Sequence, residues 1–113
     1  MNVEITSEKI GAGVVLRLKG DVDMNTSPQV RSNIGEVFKQ GGSRALLINL
    51  SGVRYMDSSG IATLVEAMQN CLKQGMRLRL VEPSAPVRDV FELARLASVF
   101  EICATMNDAT AGL

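Results

Sequence analysis

Apolar and polar positions change period several times along the chain, and each change marks an element. Val3-Glu4-Ile5-Thr6 alternates, Gly11-Ala12-Gly13 turns, and Val14-Val15-Leu16-Arg17-Leu18-Lys19 runs on. Two such runs joined by glycines predict a β-hairpin, which Gly20-Asp21-Val22-Asp23 ends. Thr26 or Ser27 then caps a helix with Pro28 at its first position. Val30, Ile34, Val37 and Phe38 recur at helical spacing and give it one apolar face, and Gly41-Gly42 stops it.

The run Ala45-Leu46-Leu47-Ile48-Asn49-Leu50 is nearly all apolar, as in a strand buried on both faces. Residues 51–59 read as a loop. Ile61, Leu64, Val65, Met68 and Leu72 then mark a second amphipathic helix, ended by Gly75, with Thr63, Glu66 and Ala67 turned outward. Arg77-Leu78-Arg79-Leu80-Val81 alternates like a half-exposed strand. After the break at Pro83, Pro86 opens a third helix with Val87, Val90, Phe91 and Ala94 inward. Val99-Phe100-Glu101-Ile102 predicts a short last strand, and Asn107 or Asp108 caps a final turn of helix.

Strands alternating with helices imply a mostly parallel sheet with right-handed crossovers. The expected fold class is therefore α/β. Residues 1–113 form one domain, with a mixed sheet, an N-terminal antiparallel hairpin and helices packed on the sheet. The length of 113 residues suits one domain with a core that needs no disulfide, and 46% hydrophobic with 21% charged residues agrees.

Charge and chemistry narrow the function. Twelve Lys and Arg balance twelve Asp and Glu, and no basic stripe is visible, so neither nucleic-acid binding nor direct membrane binding through charge is expected. The chain has no His, which removes His-based metal sites, Ser-His-Asp triads and Cys-His dyads. Cys71 and Cys103 fit no metal or redox spacing and read as reduced thiols. Met1-Asn2-Val3-Glu4 does not look like a signal peptide, no apolar run is long enough to span a bilayer, and a cytoplasmic location is expected. No cofactor and no catalytic residue are expected.

The most informative stretch is Tyr55-Met56-Asp57-Ser58-Ser59-Gly60-Ile61, between the buried strand and the second helix. Asp, Ser and Gly are ordinary helix-start residues, so capping alone accounts for the tetrapeptide Asp57-Ser58-Ser59-Gly60. Its position adds to that. Loops at the carboxyl ends of strands carry the sites of open α/β sheets, and two acidic, hydroxyl-bearing loops follow strands here, residues 20–27 and 51–60. A hydroxyl at the helix start faces N–H groups that favour an anion by about 0.3–1 kcal/mol. Ser58 or Ser59 is thus well placed to carry a phosphate, with Asp23 and Asp57 nearby. Asp23 has a plainer reading as an Asx turn, and Met56 as a core residue.

Leu18-Lys19-Gly20-Asp21-Val22-Asp23, Leu47-Ile48-Asn49-Leu50-Ser51-Gly52-Val53, Tyr55-Met56-Asp57-Ser58-Ser59-Gly60-Ile61 and Pro86-Val87-Arg88-Asp89-Val90-Phe91 together resemble the stand-alone STAS domains of bacterial anti-sigma factor antagonists. The likeness covers nearly the whole chain. It implies a partner-switching cycle with no catalysis by the antagonist itself. The unmodified antagonist binds an anti-sigma factor that is also a serine kinase, with ATP and Mg²⁺ bound by the kinase, and the sigma factor is freed. The kinase phosphorylates the first hydroxyl after the loop aspartate, which maps to Ser58, and the modified form lets go. A metal-dependent serine phosphatase resets it. Some family members carry Asp where this chain has Asn49.

The expected partner surface comprises Asp23, Asn25, Met56, Asp57, Ser58, Ser59 and Ile61, and the free chain is expected to be a monomer. Two other binding roles suit the same fold: a subunit of a lipid-transport ABC system, or a stressosome-type scaffold. A response-regulator receiver using Asp57, with Asp21 and Asp23 as the acidic pair, is a more distant alternative, because no Lys follows Lys73.

Overall fold

A computed structural model describes residues 2–113; Met1 lies outside them. The elements follow the order β1 (Val3–Ile10), β2 (Gly13–Val22), α1 (Ser27–Gln40), β3 (Ala45–Met56), α2 (Ser58–Lys73), β4 (Arg77–Val81), α3 (Ala85–Leu93), β5 (Glu101–Cys103) and α4 (Met106–Thr110). The five strands form one sheet in the order β1-β2-β3-β4-β5. β1 is antiparallel to β2, and every other pair is parallel. This is the mixed α/β fold that the alternation of elements predicts. Among the described residues, no helix is long and apolar enough to cross a membrane.

The period-2 pattern of each strand divides its side chains between two cores. Leu46, Ile48 and Leu50 of β3 join Val30, Ile34 and Val37 of α1, Leu64 and Ala67 of α2, and Val87 and Phe91 of α3. Ala45 and Leu47 point the other way, onto Val15, Val81 and Ala109. Three helices thus cover one face and α4 covers part of the other, which is why the β3 run has so few polar positions.

Several sequence expectations are corrected. Residues 51–56 are not loop: β3 runs on to Met56 beside β2, with register shifts between Arg17 and Lys19 and between Gly20 and Asp21. Gly52 permits this close pairing, since a Cβ there would come within 2.9 Å of the Leu18 carbonyl oxygen. Strand β4 is buried rather than half-exposed. Arg79 is only 8% exposed, because its guanidinium ion-pairs with Glu101 at 3.1 Å and donates to the Ala109 carbonyl of α4. Helix α2 is also turned from its predicted face. Gly60, Thr63, Leu64, Ala67 and Cys71 are buried, while Leu72 is exposed.

The rotation of α2 follows from its packing on α1. Small residues at Thr63 and Ala67 let the helices approach, and the Thr63 hydroxyl donates to the Ser59 carbonyl at 2.9 Å. Arg31 of α1 reaches over to Glu66 at 3.4 Å. Of the three residues expected to face outward, only Glu66 does so. In α3, Val87 and Phe91 are buried, but Ala94 lies beyond the helix and is exposed. Strand β5 begins at Glu101, later than the apolar run suggests, and Thr105 rather than Asn107 or Asp108 caps α4 through the Asp108 N–H.

Candidate phosphoacceptor site

The site is built where β2 and β3 end side by side. Val22 pairs with Met56, and the Asp57 N–H donates to the Val22 carbonyl at 3.2 Å. The chain leaving β2 and the start of α2 are therefore neighbours, as the two strand-end loops suggest.

Asp57 is the N-cap of α2. Its backbone is extended, and one carboxylate oxygen accepts from the Ser59 N–H at 2.9 Å, the Gly60 N–H at 3.4 Å and the Ser59 hydroxyl at 2.5 Å. These bonds favour the charged form. The Ser59 hydroxyl does most to hold the Asp57 carboxyl below the usual carboxylate range, against a smaller opposing effect of burial. The backbone N–H groups of Ser59, Gly60 and Met24 add to the lowering.

The stabilisation is thus complete above the ordinary carboxylate range and is lost as pH falls through the lowered value. Asp57→Ala should cost about 1 kcal/mol at neutral pH, and the gap to wild type should close in acid. Urea melts at neutral and acid pH check this; a gap that stays constant or widens in acid contradicts it.

The two serines differ in kind. Ser59 is half-buried and its hydroxyl proton is committed to Asp57. Ser58 is the first residue of α2 and is exposed, and no side-chain hydrogen bond among the described residues involves its hydroxyl. The geometry leaves Ser58 free for chemistry and engages Ser59 in the cap.

Asp23 forms the Asx turn. Its Oδ1 accepts from the Asn25 N–H at 2.8 Å and the Thr26 N–H at 3.1 Å. In return the Asp23 N–H donates to the Thr26 hydroxyl, which itself donates to the Asp21 carbonyl. Thr26 is buried by this exchange and makes no side-chain cap for α1. Asn25 is exposed, and Ile61 is half-buried against the core.

Met56 must be corrected as a contact residue. It is 3% exposed and lies in the main core, so it offers no side chain to a partner. It lies under Gly60, where an added Cβ would come within 2.6 Å of the Met56 Cγ. The apolar residues that do stand out at this end are Met24, 75% exposed, and Tyr55, 51% exposed. The sequence pattern gives little sign of either, although Met24 sits alone among polar turn residues, outside any helical or strand period.

Asp21, proposed as part of an acidic pair, lies 3.9 Å from the Arg54 guanidinium. Among the described residues, no group of three His, Cys, Asp or Glu is placed to hold a metal. Asp57 spends its carboxylate on the helix cap, whereas a receiver would need it as the phosphate acceptor.

The chain is similar to known proteins over most of its length. The STAS domain family matches residues 4–109. An anti-sigma F factor antagonist of Lysinibacillus sphaericus is 34% identical over 83 residues, which span 74% of this chain and 71% of that protein. The solved structure of the anti-sigma factor antagonist SpoIIAA in its unphosphorylated form superposes with a TM-score of 0.81 at 29% identity, covering 94% of this chain and 92% of that one. The phosphorylated form of SpoIIAA, the Bacillus cell fate determinant, gives 0.73 at 28% identity, covering 94% of this chain and 96% of that one. The chain belongs to the STAS domain family.

Proposed function

We propose that this STAS-domain chain is an anti-sigma factor antagonist of the partner-switching kind. Unphosphorylated, it binds an anti-sigma factor that is also a serine kinase, and the sigma factor is released. The kinase, holding ATP and Mg²⁺, transfers a phosphoryl group to the Ser58 hydroxyl, and binding is switched off. A metal-dependent serine phosphatase restores the first state. The cycle takes place in the cytoplasm.

The observation that carries this reading is the exposed, uncommitted hydroxyl of Ser58 at the first position of α2, beside a neighbour whose hydroxyl is tied to the cap. A phosphate there brings about −1.5 to −2 charge. The N–H groups of the first helical turn accommodate an anion, so the fold survives the modification. A partner closing over the same point meets a hydrated dianion next to Asp57, and association weakens through like-charge repulsion and desolvation. Fold and binding thus respond differently to one modification, as a reversible switch requires. SpoIIAA, solved in both states, supports the reading by analogy.

The test mixes the purified chain with kinase-type anti-sigma factors of the same organism, ATP and Mg²⁺. One of them should bind the chain, phosphorylate it at Ser58 and then release it. If none binds or phosphorylates it, the reading fails. A second prediction concerns the chain alone: incubated with labelled ATP and Mg²⁺, it should take up no phosphate and release none. Stoichiometric self-labelling would overturn the division of labour proposed here.

A further inference from the structure

The large apolar side chains left exposed are few, and two of them stand at the end of the sheet that carries Ser58. Met24, Tyr55, Leu72, Leu93 and Val99 are the exposed large hydrophobics among the described residues. Leu72 and Val99 line a groove between α2 and the β4–β5 edge, and Leu93 ends α3. Single exposed apolar residues of that kind are ordinary. Met24 and Tyr55 differ in being tied to the candidate site through the backbone.

Tyr55 pairs with Asp21 in the β2–β3 ladder, one residue before the Val22–Met56 pair, and stands three residues before Ser58. Met24 lies two residues beyond Val22, in the turn held by the Asp23 carboxylate, and its backbone N–H faces Asp57. The chain has three Phe and one Tyr. Phe91 and Phe100 are buried and Phe38 packs on the core, so Tyr55 is the aromatic residue turned to solvent. Neither Met24 nor Tyr55 contributes to either core.

We propose that Met24 and Tyr55 are the apolar anchors of the partner interface around Ser58, and that they set which kinase-type anti-sigma factor the chain accepts. The inference rests on the antagonist reading and deepens it. The occupant is the kinase face that presents ATP to Ser58, and its fitting chemistry is a pair of apolar sockets. Interface cores are enriched in Met and aromatic residues and depleted of charge, and a few such anchors carry most of the binding energy.

The polar groups of the two loops already have partners inside the chain. Asp23 is held by Asn25 and Thr26, and Asp57 by Ser59 and Gly60. They give register but little further attraction, which leaves affinity to the apolar pair.

The experiment compares wild type, Met24→Ser, Tyr55→Ser, the double variant and Met24→Leu. Binding to the cognate kinase with ADP and Mg²⁺ is titrated, labelling rates are measured, and each variant is melted. Each Ser variant should bind at least about tenfold more weakly, a change of about 1.4 kcal/mol. KM for phosphorylation should rise while kcat holds, melting should be unchanged, and Met24→Leu should behave as wild type. If both Ser variants bind within twofold of wild type, the anchors lie elsewhere and the inference is overturned, with the antagonist reading intact. If a Ser variant loses its melting transition, the residue is structural and the inference is again overturned. If wild type itself binds no such kinase, the antagonist reading has failed, and the inference with it.

Discussion

Ser58→Ala should take up no phosphate, stay folded and still bind the proposed kinase partner, whereas Ser58→Asp should fold as well as wild type and bind at least about tenfold more weakly. The first half follows from the position of the side chain. Ser58 is exposed and its hydroxyl is in no side-chain hydrogen bond among the described residues, so truncation removes no contact seen there. Stability should change by no more than about 0.5 kcal/mol. The second half pits two electrostatic effects against each other. A carboxylate in the first turn of α2 gains about 0.3–1 kcal/mol from the helix N-terminus. The same charge, brought under a partner beside Asp57, meets repulsion and a desolvation cost of at least about 1.4 kcal/mol, or tenfold in affinity.

Melting and binding should therefore move apart in Ser58→Asp: the melting point holds or rises slightly while affinity falls. Labelled ATP with the purified kinase, phosphopeptide mapping, a binding titration and melting curves give all four readings. A phosphate mapped to Ser59 or Thr63 would show the assignment to be wrong. Neither is well placed to receive it. The Ser59 hydroxyl donates to Asp57, and Thr63 is 2% exposed with its hydroxyl bonded to the Ser59 carbonyl.

What the chain's pattern reveals, and what it hides, follows from how many neighbours decide each feature. The β1–β2 hairpin and the all-apolar start of β3 are legible, because alternation and an unbroken apolar run report burial directly. The face of α2 is not, because it depends on α1. Thr63 and Ala67 are small and weakly apolar, and only the second helix makes them interior, while Leu72 falls outside the contact. Arg79 is hidden in the same way. Its alternation with leucines reads as solvent exposure until β5 brings Glu101 and α4 brings the Ala109 carbonyl. At the site, the identity of the cap and the Asx turn at Asp23 are local and legible. Which of Met24, Tyr55 and Met56 reaches the surface is not, because β3 runs six residues further than its apolar run. The last of those residues, Met56, turns inward under α2.

That inward turn gives the second large effect: Met56→Asp should unfold the chain, or leave it on the edge of unfolding. Met56 is 3% exposed, and its side chain lies against the start of α2, where a Cβ on Gly60 would come within 2.6 Å of Met56 Cγ and 2.9 Å of Val22 Cγ1. The thioether thus fills the space between β2, β3 and the backbone of α2. An aspartate there loses that packing and buries a carboxylate in the apolar core. An uncompensated buried charge costs about 3–5 kcal/mol, out of a total stability of about 5–15 kcal/mol for a domain of this kind. Met56→Leu keeps volume and polarity close and should cost less than about 1.5 kcal/mol.

Urea melts of the three proteins separate the cases. Wild type and Met56→Leu should show similar cooperative transitions, and Met56→Asp a lost or sharply lowered midpoint. Loss of partner binding in Met56→Asp would then be a consequence of unfolding. If instead Met56→Asp melts with wild type and only its binding falls, Met56 faces the partner after all. The packing of α2 on β2 and β3 described here would then be wrong.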